Sequence, residues 1–133
     1  MRARVVLVED QPEIRQLIRM TLDFGDFELG EAVDADAGWA LIQKQQPDLV
    51  LLDVMMPGSM DGLALCRKLR QHPEFRTVPV VLLTARSQQR DIDAGLEAGA
   101  DAYLTKPFSP LELIDTVEKL LAEDAEERSR MVA

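Results

Sequence analysis

The sequence predicts an α/β fold: a parallel sheet with helices on both faces. Three observations carry that prediction. Leu49–Leu52 and Val80–Leu83 are continuous apolar runs too short for helices, the pattern of strands buried on both faces. Strand-like and helix-like segments alternate along the chain. The 133 residues are 47% hydrophobic and 29% charged, the size and composition of one globular domain.

Taken in order, Val5–Val8 reads as the first strand. Pro12 suits the first turn of a helix, along which Ile14, Leu17, Ile18 and Leu22 recur at helical spacing to about Asp23. Gly25 breaks it. Phe27–Val33 is a weaker second strand, because Gly30 and Glu31 interrupt its pattern. Asp36 is placed to cap a second helix carrying Trp39, Ala40 and Ile42, which ends before Pro47. The third strand lies between Pro47 and Pro57-Gly58, and a third helix follows from about Asp61 to Gln71, burying Leu65, Cys66 and Leu69. His72–Val78 is a loop, and Pro79–Thr84 the fourth strand.

The fourth helix, about Ser87 to Glu97, is poorly amphipathic: its apolar positions are Ile92, Ala94, Leu96 and Ala98, and Gly95 weakens it. Gly99-Ala100-Asp101 turns the chain into a short fifth strand, Ala102–Thr105, ended by Lys106-Pro107-Phe108. Ser109 caps a last helix from Pro110, with Leu113, Ile114, Val117, Leu120 and Leu121 on one face. Five βα units in series imply right-handed crossovers. Residues 1–122 form the domain, and residues 123–133 a charged tail, either a frayed helical extension or a linker.

A net charge of -9 argues against a phosphate-backbone binder, so no direct nucleic-acid partner is expected. No apolar stretch approaches a membrane span, and Met1-Arg2-Ala3-Arg4 leads straight into a strand without the apolar core of a secretory signal. The expectation is a cytoplasmic protein with no membrane partner. Cys66 is alone, which excludes an internal disulfide and a Cys-based zinc site. His72, the only histidine, stands beside Pro73 with no ligand series and is assigned no site.

In a parallel sheet the C-terminal strand ends share one edge, where open α/β folds bind ligands. Strand one brings Glu9 and Asp10 there, strand three Asp53, strand four Thr84 and strand five Lys106. Each has a plain alternative: Asp53 as a turn residue, Glu9-Asp10 as a solvated helix start, Thr84 as a strand terminus, Lys106 as a partner for Asp101. Their coincidence at one edge favours a site. Three neighbouring carboxylates call for a counter-charge, which a hard divalent cation such as Mg²⁺ supplies. The Lys106 ammonium and Thr84 hydroxyl suit an anionic oxygen. That set, around one free carboxylate, suggests phosphoryl transfer onto Asp53.

Val8-Glu9-Asp10, Leu51-Leu52-Asp53-Val54-Met55-Met56-Pro57-Gly58, Leu83-Thr84-Ala85 and Tyr103-Leu104-Thr105-Lys106-Pro107-Phe108 occur in this order and spacing. On those motifs the chain, from Arg4 to about Leu121, resembles the receiver domain of two-component response regulators, the CheY-like family. The resemblance implies a doubly wound, flavodoxin-like sheet of five parallel strands in the order 2-1-3-4-5, with five helices. It implies that Asp53 accepts a phosphoryl group from a sensor histidine kinase or a histidine phosphotransfer protein. Asp10 would bind Mg²⁺ directly and Glu9 through water, with Asp53 and the main-chain carbonyl of Met55 completing the protein ligands. Thr84 and Lys106 would hold phosphoryl oxygens, Ala85 would leave them room, and a cis bond before Pro107 would aim Lys106.

By the same resemblance Tyr103 is the switch aromatic, turning inward behind Thr84 and reshaping the face of helix four, strand five and helix five. Such a domain is a signalling phosphoacceptor in a phosphorelay, catalysing only its own phosphorylation and dephosphorylation. Its output is a downstream protein target or an effector domain, and phosphorylation-dependent homodimerisation is left open. No effector domain follows the last helix, so the domain either acts alone or belongs to a longer regulator. The loop Pro57–Gly62 is one residue longer than the commonest family form. Met55 and Arg86 hold the variable positions that tune phosphoryl lifetime, and modest self-dephosphorylation is expected. Two other readings stand beside this one. A haloacid dehalogenase-type phosphatase wants a second Asp where Met55 stands. A receiver-like interaction module would never take phosphate, and the complete set of site residues argues against it.

Overall fold

The structure, a computed structural model, describes residues 2–132 except 24, 57, 59, 86 and 87, with side chains as far as residue 127. Five strands, β1 (Ala3–Val8), β2 (Phe27–Ala32), β3 (Leu49–Asp53), β4 (Val80–Thr84) and β5 (Ala102–Thr105), alternate with five helices. These are α1 (Pro12–Leu22), α2 (Ala35–Gln45), α3 (Gly62–Gln71), α4 (Gln89–Glu97) and α5 (Pro110–Val132). The strands form one parallel sheet in the order β2-β1-β3-β4-β5. The sheet is doubly wound, with the expected strand order.

Burial explains the sequence pattern. Every residue of β3 and β4 is buried, so these strands need apolar side chains on both faces. One face carries Val6, Val8, Val50, Leu52, Val80 and Leu82 against α2 and α3, through residues such as Ile42, Leu65 and Leu69. The alternate residues Val5, Leu7, Leu49, Leu51, Val81 and Leu83 meet α1 and α5, through Ile18, Leu22, Leu113 and Val117. A period of two within each strand thus feeds two cores.

Several boundaries differ from expectation. The second helix is capped by Asp34, whose carboxylate accepts from Ala37 N–H at 2.8 Å. Asp36 sits instead inside the first turn, too far along to serve the first free N–H groups. β2 stops at Ala32, leaving Val33 about half exposed, yet it includes Gly30 and Glu31. Only Gly95 of α4 is buried, in keeping with its weak amphipathicity; the expected start at Ser87 lies outside the described residues.

The last helix is far longer than its apolar stripe. It continues as helix through Val132, so the tail is helical, and its Ala, Glu and Arg residues are types that favour that conformation. At its start Ser109 Oγ accepts from Glu112 N–H at 3.1 Å, and Glu112 Oε2 accepts from Ser109 N–H at 3.4 Å, a reciprocal capping box. No helix among the described residues is long and apolar enough to cross a membrane.

Arg70 of α3 ties the opposite, N-terminal edge of the sheet. It donates to the carbonyls of Gly99 and Val78 at 2.7 and 2.8 Å and pairs with Asp101 at 2.7 Å. Asp101 also accepts from Val80 N–H, so it is committed far from Lys106. Cys66 is buried beside these helices, and burial pushes its thiol pKa up, as for a packing residue. His72 packs between Trp39 and Phe75, with ring centroids 5.4 and 5.0 Å away.

Leu51 sits in the most enclosed strand, with no exposure. Leu51→Ala should lower unfolding stability by about 2–5 kcal/mol, measured as a shift in the urea midpoint at constant slope.

Candidate functional site

Register alone brings the acidic residues together. Val8 pairs with Leu52 across β1 and β3, so the next residues, Glu9 and Asp53, lie side by side where the strands end. Both follow the alternation that faces α1 and α5. Glu9 is anchored by its N–H to Ala32 carbonyl at 3.0 Å, which carries the strand direction one residue past β1. Glu9 has no exposed surface and Asp53 only 2%. Asp10 is half-buried.

One oxygen each from Glu9, Asp10 and Asp53 lies within 4.8 Å of the others. Lys106 enters from β5, which is held by Lys106 N–H to the Thr84 carbonyl at 2.7 Å. Its Nζ stands 2.6 Å from Glu9 Oε1 and 3.4 Å from Asp53 Oδ1, with the side chain 12% exposed. It also donates to Gln11 Oε1 at 3.2 Å. The Lys106–Pro107 peptide bond is cis, as expected. Glu9 Oε1 is close enough to the ammonium for charge pairing but off hydrogen-bond angle, and neither it nor Asp10 Oδ1 has a hydrogen-bond partner.

Two buried carboxylate oxygens without hydrogen bonds are costly unless a cation meets them. The all-oxygen donor set fits a hard divalent ion such as Mg²⁺, which uses few carboxylates and keeps several waters. Asp53 carries the strain of the arrangement: its pKa is pushed up from 3.8 to about 8. Burial is the main cause, followed by the adjoining Glu9 carboxyl; Lys106 opposes the rise and Asp10 adds to it.

The remaining expected residues fall around this cluster. Met55 N–H donates to Asp53 Oδ1 at 3.3 Å, while its side chain is half exposed. Thr84 is fully buried at the end of β4, one residue beyond Leu83, the register partner of Asp53. Ala85 is exposed just after it. Tyr103 pairs with Leu82 and Thr105 with Thr84, so Tyr103 and Thr84 are diagonal neighbours on one face of the sheet. The Tyr103 ring lies against Gly95, where a Cβ would come within about 3.0 Å of it. Arg86 and the loop residues Pro57 and Ser59 lie outside the described residues.

Two further residues shape the site, and neither was marked by its sequence. A side chain at Gly62 would run into the Asp53 carbonyl oxygen, so α3 can start against the end of β3 only with glycine there. Gln11 links the β1 and β5 ends through Lys106.

The chain matches the response regulator receiver domain family over residues 5–118. It belongs to that family. The receiver is 40% identical over 121 residues to the phosphate regulon transcriptional regulatory protein PhoB of Escherichia coli (strain K12), covering 91% of this chain and 52% of that one. It is 39% identical over 118 residues to the DNA-binding dual master transcriptional regulator RpaA of Synechocystis sp., covering 89% of this chain and 48% of that one. Among solved structures, the chemotaxis response regulator CheY4 of Vibrio cholerae superimposes with a TM-score of 0.85 at 30% identity, over 90% of this chain and 99% of that one. The chain spans about half the length of the curated relatives it matches. It is thus a CheY-like receiver of two-component signalling, a family of signalling phosphoacceptors.

The raised Asp53 pKa has a definite sign. The folded receiver holds the proton more tightly than the unfolded chain, so this contribution is full below about pH 4 and disappears as pH rises through about 8. In metal-free buffer, the denaturant midpoint of wild type relative to Asp53→Asn should therefore fall steadily as pH rises through that window.

Proposed function

We propose that Asp53 is the phosphoacceptor and that Glu9, Asp10 and Asp53, with the Met55 main-chain carbonyl, hold Mg²⁺. The observation that carries this reading is the pair of buried oxygens on Glu9 and Asp10 that lack a hydrogen bond, only the first of them paired with Lys106, set beside an Asp53 that Lys106 approaches to 3.4 Å. A phosphohistidine on a sensor histidine kinase or a histidine phosphotransfer protein is the donor. An ionised Asp53 oxygen attacks phosphorus, the P–O bond of an acyl phosphate forms, and the P–N bond breaks with its electron pair leaving on the imidazole. A bound Mg²⁺ supplies positive charge that keeps the carboxylates ionised and offsets charge on the transferring group.

The chain's own residues do the rest. Lys106 brings a fixed ammonium to the oxygens around Asp53, already oriented by Glu9 and Gln11. The Thr84 hydroxyl donates to a phosphoryl oxygen, and the exposed Ala85 leaves space beside it. Thr84 moves toward the phosphoryl group and Tyr103, its diagonal neighbour, follows inward from its seat on Gly95. The face of α4, β5 and α5 thereby changes for a downstream protein target or an effector domain. Met55 offers no group to orient an attacking water, so self-dephosphorylation is modest.

Intact mass after incubation with acetyl phosphate tests the reading. Wild type should gain one phosphoryl group only with Mg²⁺ present, and Asp53→Asn should gain none. Lys106→Ala should slow the gain by roughly 100-fold, the cost of losing one fixed positive donor. No gain by wild type, with a phosphohistidine donor also tried, would leave a receiver that acts through binding alone.

A further inference from the structure

The site as read so far leaves Arg15 of α1 unused. Its side chain is 19% exposed and turns back over the first turn of the helix. Nη1 donates to the main-chain carbonyls of Glu9 at 2.9 Å and Asp10 at 3.0 Å. These carbonyls belong to the two residues that carry the buried oxygens without hydrogen bonds. Holding both of them fixes the peptide planes on either side of Asp10, and with them the directions in which both carboxylates leave the chain.

The N-cap residue Gln11 makes no side-chain cap, and its N–H goes at 3.3 Å to Glu9 Oε2. From the other side, Arg15 Nε is 3.9 Å from Glu31 Oε1 on β2. Arg19 in turn holds Glu31 with bonds of 2.8 and 2.7 Å. The Arg15 guanidinium is thus wedged between an edge strand and the acidic turn. It also brings positive charge near the carboxylates without occupying a carboxylate oxygen of Glu9 or Asp10, as Lys106 does on Glu9.

We propose that Arg15 is a positioning residue for the cation, presetting Glu9 and Asp10 through their carbonyls. The proposal rests on the Mg²⁺ reading above. Its test is calorimetric titration of Mg²⁺ into wild type, Arg15→Ala, Arg15→Lys and Arg19→Ala, with thermal unfolding of each in metal-free buffer. Arg15→Ala should weaken Mg²⁺ binding by about 10–100-fold, as loss of an outer-sphere partner does. Arg15→Lys should recover part of that loss, since an ammonium can reach a carbonyl but lacks the nitrogen that faces Glu31. Arg19→Ala breaks the clasp on Glu31 but leaves the carbonyl bonds, so its affinity should change by about fivefold at most, the scale of one exposed ion pair. Equal affinity in wild type and Arg15→Ala overturns the inference alone, as does a loss in Arg19→Ala matching that in Arg15→Ala. No Mg²⁺ binding by wild type overturns it together with the metal reading. Should Arg15→Ala not fold, Arg15→Lys decides, a wild-type affinity counting against the proposal.

Discussion

Three carboxylates converge where the buried β1 and β3 strands end, and among the described residues Lys106 is the ammonium placed between them. The repulsion this creates is the constraint that the rest of the site answers. Burial removes the water that would otherwise screen it, which is why Asp53 resists ionisation until near pH 8. Such a group is poised: it is a weak nucleophile while neutral, and any added positive charge at the edge makes it a better one. The same low-dielectric setting that penalises the charge gives each counter-charge its leverage.

The fold tolerates this because the cost is concentrated at one edge. Along their length β3 and β4 carry only apolar side chains into two continuous cores, and the polar load begins at their last residues, Asp53 and Thr84. The opposite edge is handled differently. There Arg70 and Asp101 satisfy each other and a set of main-chain groups at 2.7 to 2.8 Å, forming a structural polar knot. One end of the sheet is thus tied by satisfied polar groups, while the other carries buried carboxylate oxygens without hydrogen bonds.

The region around α4 has a different character. It buries only Gly95, which lies against the Tyr103 ring and Leu82 of the sheet. A helix that contributes so little to the core is cheap to move, and Tyr103 shares a sheet face with Thr84 at the C-terminal edge. On the proposed reading, the path from Asp53 to the surface spans one diagonal of the β4–β5 ladder.

By itself the sequence determined the five βα units, because apolar runs and helical spacing are local records of which positions must leave water. It also placed Glu9, Asp10, Asp53, Thr84 and Lys106 at one edge of the sheet, because each directly follows or ends a strand whose direction the alternation sets. Helix ends were less legible: Asp34 and Asp36 are equally good capping types, and only backbone geometry chose the first. The tail after Leu121 was ambiguous because helix-forming residues without an apolar face do not announce whether they stay helical. The contacts of Gln11 with Lys106, of Gly62 with the Asp53 backbone and of Arg15 with two carbonyls were decided only by tertiary structure. They join residues through the main chain or across the sheet, and main-chain partners leave no mark in the identity of the residues they belong to.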